Sequence, residues 1–423
     1  MDIFERIQQN PGPLGQFADY GEGYFIFPRL EGPIGPRMRF EGREVVFWSA
    51  NDYLGLCNHP EVKKADADAA AEYGMFYPMG ARAMSGETDQ HQQLERELAE
   101  FVKKDSAYLL NFGYQGMVST IDALLSRHDV IVYDSNSHAC IVDGVRLHMG
   151  KSFMFQHNDM ASFEKNLKRA EKVAADNGGG ILVITEGVFG MTGQQGKLKE
   201  ICEFKKNHQF RLLVDDAHGF GTLGKTGAGA GEEQDCQDEI DVYFSTFAKS
   251  MAGFGAFIAG DKEIIRYLKF NLRSQIFAKS LTMPMVIGGL KRLELLRTRP
   301  EIKAKLWENV NKLQNGLRER GFDLGKTNTC VTPVMMQGTP VEATLLVKDL
   351  RENFGIFTSV VVYPVIPKGM ILLRLIPTAS HTDAEINETL SAFEAIYDKL
   401  TSGFYKEQAN KLMEEQQLTF KPL

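Results

Sequence analysis

The sequence predicts an α/β protein: a mostly parallel sheet sandwiched by helices, followed by a smaller C-terminal α+β domain. Short apolar runs alternate with helical patterns from about residue 107 to residue 259. Strands alternating with helices build a parallel sheet that is covered on both faces. Beyond residue 283 the pattern changes to two long helices, three strand-like runs and one more helix, which marks a second unit. The composition suits a large core: 423 residues, 43% apolar and 24% charged. The expected divisions are an N-terminal segment at 1–50, a large domain at 51–295, a small domain at 296–400 and a charged tail from 401 to 423.

Residues 1–50 are rich in Gly, Pro and aromatics, with short strands expected at 38–40 and 45–48. That is too little for a domain, so the segment is expected to pack on something larger. Helices follow at 61–73, which is Ala-rich, and at 91–102, where Leu94, Leu98 and Phe101 fall at helical spacing. Then come a strand at 107–110, a helix from Gly113 to about Leu125, a strand at 130–133 and a helix at 162–174. A continuous apolar strand at 181–185 precedes a helix at 198–207, and strands follow at 210–214, 242–244 and 256–259. Long helices at 283–296 and 302–319 open the second unit. Strands at 331–336, 359–363 and 371–376 and a helix at 384–399 complete it.

Composition excludes several functions. Net charge is −7 with no dominant basic stretch, so nucleic-acid binding has no support. Cys57, Cys140, Cys202, Cys236 and Cys330 are dispersed without metal-ligand spacing. That suggests free thiols in a reducing compartment and no metal centre. The first residues lack a basic-then-apolar signal pattern, and no apolar run approaches the about 18 residues of a membrane span. The expectation is a cytoplasmic protein whose membrane contact, if any, is transient.

One motif misleads. Gly219–Thr226 reads GFGTLGKT and matches both G-x-x-x-x-G-K-T and G-x-G-x-x-G. Both motifs aim a helix N-terminus at phosphates, so an amphipathic helix must follow at once. The next residues, GAGAGEEQDCQDE, are almost devoid of apolar side chains. DDAH also separates the strand from the first glycine. Nucleotide binding is therefore a remote alternative.

The chemistry-bearing residues follow the apolar runs. Asp215 and His218 follow LLV, Glu186 ends LVITE, His138 follows VIVYD, and Lys249 stands next to last in DVYFSTFAKS. In an open α/β sheet, ligands bind beyond the C-terminal ends of the strands. Gly113 and Tyr114, at a helix start, offer backbone N–H groups to a phosphate. Taken singly, each has a plain reading: a turn histidine, a capping aspartate, a solvated glutamate, an ordinary turn, a lysine snorkelling from a loop. Together they match the needs of pyridoxal phosphate. That cofactor takes a Schiff-base lysine, a carboxylate for its ring nitrogen, a flat group over the ring and a phosphate anchor.

The stretches NDYLGL, ARAMSGETDQHQQLE, DSNSHACIVDG, TEGVFGMTG, VDDAHGFGTLGKTGAG, STFAKS and LRLIPTASHT resemble the α-oxoamine synthases, on the fold-type-I pyridoxal-phosphate scaffold. The resemblance runs from about Asn51 to His381. It is closest to the bacterial branch of serine palmitoyltransferases and cysteate acyltransferases, through RSQIFAKSLT and GFDLG. It implies a homodimer with shared active sites. It implies that Lys249 binds the cofactor and moves the Cα proton, Asp215 pairs with the ring nitrogen, His218 bonds the ring oxygen and His138 stacks on the ring. Gly113, Tyr114 and Thr246 would hold the phosphate, and Ser280 or Thr282 would reach the neighbouring subunit's phosphate. Glu186 would support the site, and Arg374 with Asn51 would bind the substrate carboxylate.

The implied reaction is a decarboxylative condensation of a small L-amino acid, serine or cysteate, with a long-chain acyl thioester carried on CoA or an acyl-carrier protein. The product is a 3-oxo base for sphingolipid or sulfonolipid synthesis. A glycine- or alanine-using synthase and an aminotransferase on the same scaffold are the alternatives. Where the family usually has Phe-Ser-Met, this chain has Phe189-Gly190-Met191, and a charged Lys279 follows Phe277-Ala278. The expectation is that room at Gly190 and the Lys279 cation favour a larger, acidic substrate side chain.

Overall fold

The computed structural model describes residues 2–10, 12–15, 18–362, 366 and 370–415. They form two compact units, 51–305 and 1–50 together with 306–423. The first is built on a seven-stranded sheet. From edge to edge its strands are Ser106–Leu110, Ala256–Gly260, Val242–Thr246, Arg211–Asp215, Ile181–Glu186, Val130–Asp134 and Lys151–Phe155. All are parallel except Ala256–Gly260, which runs antiparallel to both neighbours. A parallel return needs a crossover of a dozen or more residues. Only 247–255 separate Thr246 from Ala256, so this strand must turn straight back, and that short return carries Lys249.

The central strands are largely apolar because both faces are covered; Ile181–Glu186 is buried at every position. Ile131, Ile184, Leu213 and Phe244 pack with Met117, Ile121 and Ile141 from the helices Gly113–Leu124 and Ala139–Leu147. The helix Met160–Asn177 starts where the Asp159 carboxylate takes the Ser162 N–H at 3.0 Å. It ends at Gly178, in the left-handed region at φ +68°. The Lys151–Phe155 strand and the helices Ala139–Leu147, Lys262–Asn271 and Pro340–Asn353 add to the expected elements.

The turn at Gly219–Thr226 leads only to the four-residue helix Ala230–Glu233. Its backbone donors are already taken. Glu232 accepts from the Thr226 and Ala228 N–H groups at 3.0 and 3.2 Å, and Glu233 accepts from Gly224 N–H at 2.9 Å. The chain's own carboxylates stand where a nucleotide phosphate would need those donors. A cavity of about 500 Å³ lies beside the turn, lined in part by Leu54, Phe101, Lys225 and Lys303. None of the residues singled out for chemistry lines it.

The other unit holds two small sheets. The N-terminal strands Arg37–Phe40 and Arg43–Phe47 are antiparallel, and Arg43–Phe47 pairs in parallel with Ile356–Phe357. The N-terminal segment thus packs on the C-terminal part of the chain. Ile371–Leu375 lies between Thr332–Met336 and Ser359–Val361, antiparallel to both. Tyr363, expected at the end of that last strand, falls outside the described residues. Trp48 stacks on His381 with ring centroids 4.0 Å apart and donates to Thr389 at 2.9 Å. Leu313, Leu317, Val334, Leu373 and Phe393 surround it. The helix Phe404–Glu415 occupies part of the expected tail; 416–423 lie outside the described residues. Among the described residues no helix is long and apolar enough to cross a membrane.

Candidate active site

The parallel strands bring the predicted polar residues to one edge of the sheet. Glu186, Asp215 and Thr246 are the last residues of their strands, and Glu186 and Asp215 are directly paired in register. His138 caps the helix after Val130–Asp134, and Gly113 opens the helix after Ser106–Leu110. Lys249 lies three residues past Thr246 and is half-buried.

Asp215 and Glu186 are almost completely buried, at 6% and 5% exposure. Burial raises the pKa of both, because the charged form loses its water. On Asp215 this is opposed by the Lys249 and His138 charges, then by the Ala217 N–H at 3.1 Å and the Cys140 thiol at 3.9 Å. On Glu186 the Asp215 charge adds to burial, and the His138 N–H at 2.5 Å opposes it. His138 has its pKa lowered, first by partial loss of hydration; Asp215 pulls it back up and Lys249 pushes it down. Its Nδ1 accepts the Cys140 N–H at 3.3 Å, and the Cys140 sulfur lies 3.0 Å away. Nδ1 as an acceptor places the proton of the neutral ring on Nε2.

His218 is held from a distant segment. Its Nδ1 lies 2.6 Å from the Tyr53 hydroxyl. A Cβ placed on Gly190 would come within 2.0 Å of His218 Nε2. The expected room at Gly190 is therefore occupied by the histidine ring and is not space for a larger substrate side chain. Lys279 is half-buried, with its ammonium 5.8 Å from the Phe76 ring centroid.

On the phosphate side, Gly113 packs so closely on Thr246 that a Cβ there would stand 3.1 Å from Thr246 Oγ1. The Thr246 hydroxyl donates to the Gly255 carbonyl at 3.0 Å and accepts the Ala248 N–H at 3.2 Å. Tyr114 is exposed and donates to Asp143, and its ring meets His138 edge to face at 6.1 Å. Ser280 is buried at 4%, and its hydroxyl donates to the Gly80 carbonyl of the same chain at 3.1 Å. Thr282 is half-buried at the start of the helix Met283–Thr298 and makes no capping bond. Asn51 is half-buried. Arg374 belongs to the other unit, buried in the middle strand of its three-stranded sheet.

These residues fit pyridoxal phosphate. A half-buried amine, a buried carboxylate with cationic neighbours and an accessible imidazole share one sheet edge. A side-chain-free helix start beside a hydroxyl completes the set. Sequence reasoning missed Tyr53 and Cys140, which hold His218 and His138. Their positions inside NDYLGL and SHAC were the available signal.

The aminotransferase class I and II family model matches residues 43–393. The chain is 66% identical over 405 residues, 96% of both chains, to a cysteate-C-fatty acyltransferase of Capnocytophaga ochracea. It is 34% identical to a serine palmitoyltransferase of Sphingobacterium spiritivorum, over 88% of this chain and 92% of that one. A solved serine palmitoyltransferase from S. paucimobilis, with a bound PLP–myriocin aldimine, superposes with a TM-score of 0.87 at 26% identity, covering 95% of this chain and all of that one. The chain belongs to the aminotransferase class I and II family, and within it is a pyridoxal-phosphate-dependent acyltransferase of the α-oxoamine synthase branch.

Proposed function

We propose that this chain condenses L-cysteate with a long-chain acyl thioester, releasing carbon dioxide and a 3-oxo long-chain base that keeps the sulfonate. One observation carries the choice of cysteate: 66% identity to the cysteate-C-fatty acyltransferase against 34% to the serine palmitoyltransferase, in both cases over most of the chain. Serine is the second reading, favoured by the fold similarity to serine palmitoyltransferases.

Pyridoxal phosphate supplies the electron sink for the carbanion formed at the amino acid's α-carbon. Lys249 is the amine that holds the cofactor and then moves the Cα proton. Asp215 keeps a negative charge beside the ring nitrogen, with the Lys249 and His138 charges offsetting its burial. His138 covers the ring face, and His218 donates to the ring oxygen. The backbone N–H groups of Gly113 and Tyr114 hold the phosphate. Thr246 joins them once its hydroxyl turns from Gly255. Arg374, helped by Asn51, binds the substrate carboxylate as a planar fork.

Homodimerisation is part of the reading. Met75, Phe76, Tyr77, Met79, Met84 and Phe277 are all exposed. They sit on two segments joined by Ser280 N–H to Gly80 O at 3.0 Å and Met283 N–H to Tyr77 O at 2.8 Å. An apolar patch of this kind marks an association surface. With Ser280 engaged inside its own chain, Thr282 is the better candidate to reach the neighbouring subunit. The acyl donor is CoA or an acyl-carrier protein, and the enzyme works in the cytoplasm, touching membrane only to release its product.

The test is turnover of the cofactor-loaded enzyme with cysteate, serine, glycine and alanine, following carbon dioxide release with and without acyl thioester. A preference for cysteate supports the proposal. Equal or better use of serine replaces cysteate with the second reading. Release without thioester, or formation of a keto acid, removes the condensation.

A further inference from the structure

The His218 ring is fixed from both ends by residues to which no role has been given. Tyr53 and His218 are 165 positions apart in sequence, yet their side chains meet at 2.6 Å, Oη to Nδ1. The rings stand edge to face, with centroids 6.0 Å apart and planes at 65°. Tyr53 is fully buried, so its hydroxyl must be satisfied inside the protein. At the other end, Nε2 stands where a side chain on residue 190 would begin, 2.0 Å from an ideal Cβ. Only glycine is compatible with the ring in this position, because real Cβ contacts essentially never fall below 3.0 Å.

We propose that Tyr53 is a positioning residue for His218, and that Gly190 is the vacancy the positioned ring requires. In the proposed arrangement the Tyr53 O–H is the donor and Nδ1 the acceptor. A neutral imidazole that accepts at Nδ1 carries its proton on Nε2, so the phenol selects the tautomer in which His218 is a donor at its outer nitrogen. A ring oxygen bearing negative charge needs a donor, so the wrong tautomer would present a lone pair to it. Phenylalanine at 53 would fill the same space and leave the tautomer unselected. Any side chain at 190 would push the ring off the Tyr53 hydroxyl. The inference rests on the reading that His218 donates to the cofactor's ring oxygen.

The experiment is a double-mutant cycle on Tyr53→Phe and His218→Asn. It reads the dissociation constant of pyridoxal phosphate from the apoenzyme and the pH midpoint of the bound cofactor's visible band. Tyr53→Phe is expected to weaken binding about 3- to 10-fold, the worth of one hydrogen bond, and to move the midpoint in the same direction as His218→Asn. It should have no further effect in the His218→Asn background. Gly190→Ala is expected to behave like Tyr53→Phe. If His218→Asn changes neither quantity, the His218 reading falls and the proposal with it. If His218→Asn changes both while Tyr53→Phe changes neither, or acts equally in both backgrounds, the proposal alone is overturned. Wild-type affinity and midpoint in Gly190→Ala would overturn the role of Gly190. Should the double variant not fold, ring-nitrogen NMR of His218 in the wild-type and Tyr53→Phe apoenzymes decides. Loss of the Nδ1 hydrogen-bond shift supports the proposal, and an unchanged Nδ1 overturns it.

Discussion

Asp216 is fully buried beside Asp215, and glycines pack against its carboxyl. Oδ2 accepts from the Ala230 N–H and from the Tyr243 hydroxyl, each at 2.9 Å. Oδ1 has no hydrogen-bond partner, and a Cβ on Gly187 or Gly219 would come within 2.0 Å of it. Burial pushes the carboxyl from 3.8 up to about 7; the Ala230 and Tyr243 bonds oppose this, the Asp215 charge adds to it and Lys249 opposes it. The folded state therefore keeps a proton that the unfolded chain releases near pH 3.8. The stability this gives is complete below 3.8 and is lost as pH rises to about 7, at about 1.4 kcal/mol per pH unit and about 4 kcal/mol in all. From about pH 5 upward, roughly 3 kcal/mol of the loss remains. Asp216→Asn cannot ionise. Its amide oxygen can take both donors, and its NH2 stands where the wild-type Oδ1 has no hydrogen-bond partner, a cost that does not change with pH. Urea unfolding of the apoenzyme at about pH 5 and about pH 8, at one protein concentration because subunit association adds to stability, reads the difference between the two chains. The stability of the wild type relative to Asp216→Asn should fall by roughly 3 kcal/mol from the lower pH to the higher. A difference that does not change with pH refutes the reasoning, since every other titrating group is common to both proteins.

Three further outcomes follow from the geometry. Lys249→Ala should abolish the visible cofactor band and lower turnover about a thousandfold or more, read by absorption and by carbon dioxide release. Arg82 is buried and bonds Glu87 at 2.8 Å and Glu95 at 2.9 Å, so Arg82→Ala leaves Glu95 buried without its cation. A loss of about 3–5 kcal/mol in the unfolding free energy is expected. Lys225→Ala should leave turnover unchanged, and ATP should not raise the melting temperature, because Glu232 and Glu233 already hold the amides of that loop.

What could be read from the sequence was local. A short apolar run that ends in a carboxylate, or in a lone lysine among small and apolar neighbours, needs no partner to be recognised, so Glu186, Asp215 and Lys249 stood out. The glycine-rich turn was dismissed on equally local grounds, the lack of apolar residues after it. What stayed hidden was paired across long sequence distances. Tyr53 is an ordinary buried tyrosine until His218 is placed beside it. Ser280 reads as a hydroxyl available to a phosphate until the Gly80 carbonyl, 200 positions away, accepts its hydrogen bond. Gly190 was misread for a related reason: a sequence shows that a side chain is missing but not which neighbour fills the space. The Lys151–Phe155 strand escaped because it lies at the sheet edge, where four of its five side chains meet solvent at least in part and the apolar run that identifies inner strands is absent.

The two buried carboxylates at adjacent strand ends pose a charge problem, and its solution indicates what the site is for. Glu186 and Asp215 face each other in register, and both are driven toward the neutral form by burial. Two carboxylates this close do not both ionise readily. Their neighbours decide between them. Lys249 leads and His138 follows in opposing burial on Asp215, and the Ala217 N–H and the Cys140 thiol donate to it. Glu186 has the His138 backbone N–H as its first opposing contact. These contacts favour the charged form on Asp215 more than on Glu186. A buried aspartate whose charged form is favoured by its neighbours is what the proposed pairing of Asp215 with the cofactor's ring nitrogen requires, and protonation of that nitrogen strengthens the ring as an electron sink.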